Sequence, residues 1–264
     1  LKSEIQGVDQ MNIFQISDLH YPYQGERGIE NIEKIINHMK TQDIKPDILL
    51  VSGDLINNDF EDYYPVLKIL DNLDTPYFCI TGNHDNSKKL MAALKKYVPA
   101  HPLSEHADKL DYCIDSYPLR IIALDSYKEN TPGGELSAGQ LDWLEQKLAD
   151  NPLQKPVVVM VHQFTVDAGL NFFDVKTRQP WCDKFNEIIV ARNDTVKLVA
   201  CGHLHNSLVS NIAGVPVISC FSANWQAHLD FEPVRNMQEL ERPVGYYIHR
   251  WNGRNMVSYA VALS

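Results

Sequence analysis

Five short apolar runs in this chain each end in a cluster of glycine, carboxylate, amide or imidazole groups. The run at 11–17 ends at Asp18 and His20, and that at 48–51 at Gly53 and Asp54. The run at 77–80 ends at Thr81-Gly82-Asn83-His84-Asp85, that at 157–161 at His162, and that at 196–200 at Gly202-His203-Leu204-His205. Continuous Val/Ile/Leu runs of this length read as strands buried on both faces. A turn that places an imidazole beside a carboxylate at a buried strand end is costly unless something uses those groups. Any acceptable fold must therefore bring several strand ends together.

The segments between the runs say how. Residues 29–40 place Ile29, Ile32, Ile35, Ile36 and Met39 at helical spacing, and residues 61–73 and 87–97 repeat the pattern. This β-α-β-α-β order implies parallel strands joined by right-handed crossovers. The middle of the chain differs: 112–114 and 119–124 read as a hairpin or meander, and Ser137 is a candidate N-cap for a helix to about Leu148. Residues 163–181 lack periodicity and suit a loop at a site mouth. A helix at 182–191 precedes the 196–200 strand, and runs at 215–219, 246–251 and 256–262 read as a second set of strands.

With 264 residues, no linker composition and no internal repeat, residues 11–264 are read as one domain. Residues 1–10 are polar and patternless, and read as a frayed terminus or expression remnant. No apolar run reaches the roughly 20 residues that a membrane span needs. A net charge of −10 argues against a sequence-independent grip on nucleic acid, which needs clustered Lys and Arg. The five cysteines form no Cys-x-x-Cys pair, and with no secretory pattern they read as reduced thiols of a cytoplasmic protein.

The donors at the strand ends are Asp18, His20, Asp54, Asn83, His162, His203 and His205. Imidazole mixed with carboxylate suits iron, zinc, manganese or nickel, and the lack of thiolates argues against a structural zinc cage. Seven donors are too many for one ion. Two ions that share one carboxylate, roughly 3.5–4 Å apart, use them up. His38, His101, His106, His228 and His249 lack comparable surroundings and read as surface or satisfied histidines, with His228 the one closest to an aromatic-polar stretch.

The order Asp-x-His, Gly-Asp, Gly-Asn-His-Asp, lone His, Gly-His-x-His resembles the calcineurin-like metallophosphoesterase superfamily, from Asp18 to His205. The resemblance implies an α/β fold, a four-layer αββα sandwich of two packed mixed sheets flanked by helices. It also implies Asp18, His20 and His205 on one metal, Asn83, His162 and His203 on the other, and Asp54 bridging both. His84 would be the catalytic, non-ligand histidine facing the phosphate, and Asp85 a group that orients it. Asp125-Ser126, Gly134-Glu135-Leu136, Gln140-Leu141, Trp143-Leu144 and Gly245-Tyr246-Tyr247 look most like the cyclic-nucleotide and glycerophosphodiester phosphodiesterase branch. One departure is that Gln163-Phe164 follows His162 where that branch usually continues His-Pro.

The implied enzyme is a dinuclear phosphodiesterase (Fe, Mn or Zn) that hydrolyses a small phosphodiester by metal-activated hydroxide attack at phosphorus. Cyclic AMP is the first candidate substrate. The alternatives are a phosphomonoesterase or nucleotidase of the same superfamily, and a non-catalytic scaffold of the same fold. The oligomeric state stays open. Tyr21, Tyr23, Phe164 and Trp225 are candidates to stack on a base, with core or rim packing as the plainer reading of each.

Overall fold

The computed structural model describes residues 10–58, 60–233 and 236–263, so the reading of residues 1–10 falls outside them except at exposed Gln10. The first half of the chain runs β1 (Met11–Ile16), α1 (Glu26–Thr41), β2 (Ile48–Val51), α2 (Tyr64–Asp71), β3 (Tyr77–Cys79), α3 (Ser87–Tyr97). The middle adds β4 (Tyr112–Ile114), β5 (Arg120–Leu124), α4 (Ala138–Ala149), β6 (Val157–Val161), α5 (Asn171–Lys176), α6 (Trp181–Ala191) and β7 (Val196–Cys201). The last part is all strand: β8 (Leu208–Ile212), β9 (Val215–Ser219), β10 (Gln226–Ala227), β11 (Glu239–Leu240), β12 (Val244–Trp251) and β13 (Met256–Leu263).

Two mixed sheets result. One has the order β13-β12-β1-β2-β3, the other β4-β5-β6-β7-β9-β8, and β10 pairs with β11 as a separate ribbon. Strands β1, β2 and β3 are parallel, as are β5, β6, β7 and β9, whereas β12, β13, β4 and β8 run antiparallel to their neighbours. The continuous apolar runs are explained by their two buried faces. Along β6, Val158 and Met160 pack into the cluster that also holds Ile13, Leu49 and Leu50 of the other sheet. Val157, Val159 and Val161 point the other way, onto Leu144 and Leu148 of α4 and Phe185 and Ile189 of α6. Helices α1 to α3 complete the first cluster, and the layers run helix, sheet, sheet, helix.

Helix α1 shows what carries such an element. Its N-cap, Gly25, makes no side-chain capping bond, so burial must hold it. Ile32, Ile35, Ile36 and Met39 are buried, each contributing about 1.5–3 kcal/mol relative to exposure. α4 does the reverse at its start: Ser137 accepts from the Gln140 backbone while Gln140 returns a bond to the Ser137 backbone. The structure departs from the sequence reading at α5, a short helix inside the expected loop, and at β8, whose run Leu-Val-Ser-Asn-Ile carries two polar residues. All five cysteines are free thiols. Among the described residues no helix is long and apolar enough to cross a membrane.

Candidate metal centre

The seven donors sit just beyond the strands that the sequence predicted would deliver them, on a backbone bent hard to turn them inward. Asp18, His20, Asp54, His203 and His205 all have positive φ, between 44° and 70°. For a residue with a Cβ this conformation costs about 1–2 kcal/mol, and it persists where surrounding bonds over-determine it. Those bonds are present. The N–H groups of Asp18 and His20 donate to the carbonyls of Gly53 and Asp54, at 3.0 and 2.9 Å. The His203 N–H donates to the Asp18 carboxylate at 3.1 Å, which ties the two sheets together at the site.

The glycines have a different task. A Cβ on Gly82 would stand 2.1 Å from Asp54 Oδ1, and one on Gly202 would stand 2.6 Å from Asp18 Oδ2. Only a bare backbone lets these loops pass so close to the carboxylates.

Four donors lie with one ligand atom each within 4.8 Å of the others: Asp18, His20, Asp54 and His205. His20 Nε2 and His205 Nε2 are 3.0 Å apart, and Asp54 Oδ2 is 3.6 Å from His20 Nε2. The same Oδ2 is 3.3 Å from His162 Nε2. On that side Asn83 Oδ1 stands 3.2 Å from His162 Nε2 and 2.8 Å from His203 Nδ1. Asp54 Oδ2 thus lies between His20 on one side and His162 on the other. Outer bonds set the ring orientations: His162 Nδ1–H donates to the Ser52 carbonyl at 2.8 Å, and His205 Nδ1–H to the Trp225 carbonyl at 3.3 Å. Both rings then turn Nε2 inward, the arrangement metal-binding histidines use.

Electrostatics point the same way. Burial pushes His20 down to about 4 and His203 to about 3, and holds His205 well below its ordinary value. These three imidazoles are neutral at pH 7. Burial lifts Asp18 to about 7, with the Asp54 charge adding to it. Asp54 itself is held well below the usual carboxylate range, because His162, His84 and His20 outweigh its burial. His162 is the exception: burial would lower it, but Asp54 and Asp18 raise it to about 9. In the absence of a cation His162 is thus an imidazolium facing the Asp54 carboxylate, and a cation among these donors would take over its charge and free its Nε2 lone pair. The fully buried His84 Nδ1 and His203 Nε2 atoms have no hydrogen-bond partner among the described residues. Neutral imidazoles, two carboxylates, an amide oxygen and an unpartnered ring nitrogen are the donor chemistry of a two-cation site.

A cavity of about 720 Å³ opens above this floor, with His84 on its wall. Tyr23 and Trp225 line it, and Trp225 lies 3.8 Å from the His205 ring, centroid to centroid. Tyr21 and Phe164 do not line it: Tyr21 packs beside Phe60, and Phe164 is buried in the core under α4 and α6. His228 pairs with Asp230 at 2.8 Å, away from the donors. The sequence reading placed the segment holding Phe172 and Phe173 at the site mouth but missed Asn86, Lys89, Tyr127, Asn130, Met237 and Glu239 as wall residues. Lys89 belongs to α3, Phe172 and Phe173 to α5 and Glu239 to β11, with the rest in connecting segments, and the only signal available was the reading of 163–181 as a site-mouth segment.

The Asp85 carboxylate, which the resemblance implies would orient His84, accepts from the N–H groups of Gly82, Leu55 and Ile56 and from the Tyr63 hydroxyl. A carboxylate already bound to three backbone donors and a phenol is committed to the backbone.

Residues 11–207 match the family model described as calcineurin-like phosphoesterase. The chain is 27% identical to the probable glycerophosphodiester phosphodiesterase GpdQ of Arcobacter nitrofigilis, over 91% of this chain and 89% of that one. It is 30% identical to a probable cyclic nucleotide phosphodiesterase of Synechococcus, over 80% and 79%, and 26% identical to the cyclic AMP phosphodiesterase CpdA of Escherichia coli, over 76% and 72%. Among solved structures, a dimetal phosphatase from Danio rerio shares the fold, with a TM-score of 0.65 at 13% identity over 95% of this chain and 98% of that one.

Proposed function

We propose that this chain, which belongs to the calcineurin-like phosphoesterase family, is a two-cation phosphodiesterase acting on small phosphodiesters. Asp18, His20 and His205 would hold one cation, Asn83, His162 and His203 the other, and Asp54 both. The observation that carries the reading is the place of Asp54 Oδ2, 3.6 Å from His20 Nε2 and 3.3 Å from His162 Nε2. When bound, such cations (iron, manganese or zinc) supply Lewis-acid stabilisation of phosphoryl charge and an ionised water at neutral pH.

The chain's own residues do the rest. Hydrogen bonds from the His162 and His205 Nδ1–H groups to the Ser52 and Trp225 carbonyls keep both Nε2 atoms aimed inward, so binding needs little rearrangement. His84 sits against His20, with ring centroids 4.6 Å apart, and faces the cavity from the side of the floor. It would stabilise the growing charge on the leaving oxygen or deliver its proton there.

The walls favour a diester over a monoester. A monoester carries two charges at neutral pH, and sites that prefer it add bidentate arginines. Among the described residues the cavity lining has no arginine, and the one lysine among them, Lys89, is paired with Glu61 at 2.5 Å. Tyr23, Tyr127, Phe172 and Trp225 give apolar surface for a base or an alcohol arm. Cyclic AMP is the first candidate and a glycerophosphodiester the second, in keeping with the activities by which the relatives are named. The test is a substrate panel under manganese, iron or zinc loading: cyclic AMP, cyclic GMP, a glycerophosphodiester, and aryl mono- and diesters, compared by kcat/KM. A diester should lead. Preference for monoesters over every diester would replace this reading with a phosphomonoesterase, and inactivity with both cations bound would replace it with a scaffold.

A further inference from the structure

The Asp54 turn and the Asn83–His84 turn hold each other by exchange of carboxylates. Asp54 Oδ1 accepts the His84 N–H at 2.8 Å. In return, Asp85 accepts the two N–H groups that follow Asp54: Leu55 N at 3.1 and 3.2 Å to its two oxygens, and Ile56 N at 3.2 Å. The same carboxylate takes the Gly82 N–H at 2.8 Å and the Tyr63 hydroxyl at 3.2 Å. Tyr63 in turn accepts the Asn86 N–H at 2.9 Å, at the N-cap of α3. Asp85 and Tyr63 are both buried, so bonds lost from them are costly to replace.

We propose that Asp85 is a positioning residue for Asp54: it fixes the left-handed turn that presents the shared carboxylate to the cations, and it does not orient His84. The geometry gives it leverage over metal affinity. Asp54 has φ 53° and is followed directly by the two N–H groups that Asp85 captures. Asparagine in its place would turn an NH₂ group towards at least one buried N–H, and the turn would relax to relieve that contact. His84 keeps its backbone bond to Asp54 as long as the turn holds, so its chemistry is affected only through the loop.

The inference rests on the two-cation reading, not on the identity of the substrate, and its test can be read without any substrate. Manganese is titrated by calorimetry into metal-stripped wild type, Asp85→Asn, Tyr63→Phe and His84→Asn. Asp85→Asn should bind manganese about 10–100-fold more weakly, the usual cost of losing an outer hydrogen bond to a metal site. Tyr63→Phe, which removes one donor from the same carboxylate, should lose a few-fold, and His84→Asn should keep wild-type affinity. In excess manganese, Asp85→Asn should recover kcat to within a few-fold of wild type on whichever ester the wild type turns over.

A purely structural role would lower the melting temperature and leave the affinity of the folded protein unchanged. Unchanged affinity with kcat lowered about 100-fold would return Asp85 to the service of His84. Either result overturns the proposal. If Asp85→Asn does not fold, Tyr63→Phe decides, and unchanged manganese affinity there overturns it as well. Wild type that binds no manganese, iron or zinc would remove the two-cation reading and this inference together. Loss of the diester preference alone would leave the inference standing.

Discussion

Individual side chains here carry unequal burdens, and metal content separates them. In the proposed assignment Asp54 serves both cations and Asp18 one, and Asp54 Oδ2 lies 3.6 Å from His20 Nε2 and 3.3 Å from His162 Nε2. Asp54→Ala should therefore empty both positions and Asp18→Ala chiefly one, as elemental analysis of the purified variants would show; equal metal content would count against the shared role. His84→Asn should lower kcat by roughly 10²–10⁴-fold with metal content intact, the range of a lost general acid–base group. Loss of metal in that variant would make His84 a ligand.

His101 illustrates a different burden, far from the reaction. It is buried at 7% exposure, its Nε2 accepts the Cys79 N–H at 3.0 Å, and its Nδ1–H donates to the Pro102 carbonyl at 3.0 Å. Burial lowers it to about 4 from 6.5. The unfolded chain takes up this proton first as pH falls, so the stability from keeping His101 neutral is complete above about pH 6.5. It declines as pH falls towards about 4, a loss on the order of 3 kcal/mol. His101→Gln should flatten the melting temperature over that window, and an unchanged slope would mean that other groups carry the acid transition.

Elements were the most legible level of this sequence. The helix at 87–97 and the strands at 112–114, 157–161 and 215–219 stand where periodicity puts them, because each is amphipathic or fully buried and so carries its own pattern. β8 escaped notice as an edge strand: with only one neighbour and residues such as Val209 exposed, it needs no continuous apolar run. α5 escaped because one and a half turns held by Phe173 leave too few residues to show a period. The Ser137 cap was legible and is testable. Ser137→Ala should cost about 1 kcal/mol, or about 2–4 °C of melting temperature, with activity kept. Gly82→Ala should behave oppositely, since its Cβ would meet Asp54 Oδ1: a large loss of bound metal, with helix content retained in circular dichroism.

At the scale of the whole molecule, the floor of the site was legible and its walls were not. The donors announce themselves as polar groups after buried strands, whereas the wall residues come from α3, α5, β11 and the connecting segments and carry no shared pattern. Asp18, His20, Asp54 and Asn83 come from the first sheet, and His162, His203 and His205 from the second. Bound cations would thus join the halves of the sandwich. At concentrations of about 100 times Kd, each would stabilise the fold by about 2.7 kcal/mol, which corresponds to about 5–10 °C. A chelator should lower the melting temperature accordingly, and an unshifted melt with metal demonstrably removed would deny the joining role.

The separation of floor from walls also sets what can be changed independently. The turns that hold the donors are locked to one another by short backbone bonds and glycine clearances, so a substitution there disturbs its neighbours as well. The stretches 127–132, 171–177 and 237–239 line the mouth yet supply none of the donors. A library restricted to those three stretches would retune which ester is accepted while the hydrolytic machinery beneath stays as inherited, and the chain can be treated as a fixed engine with an exchangeable inlet.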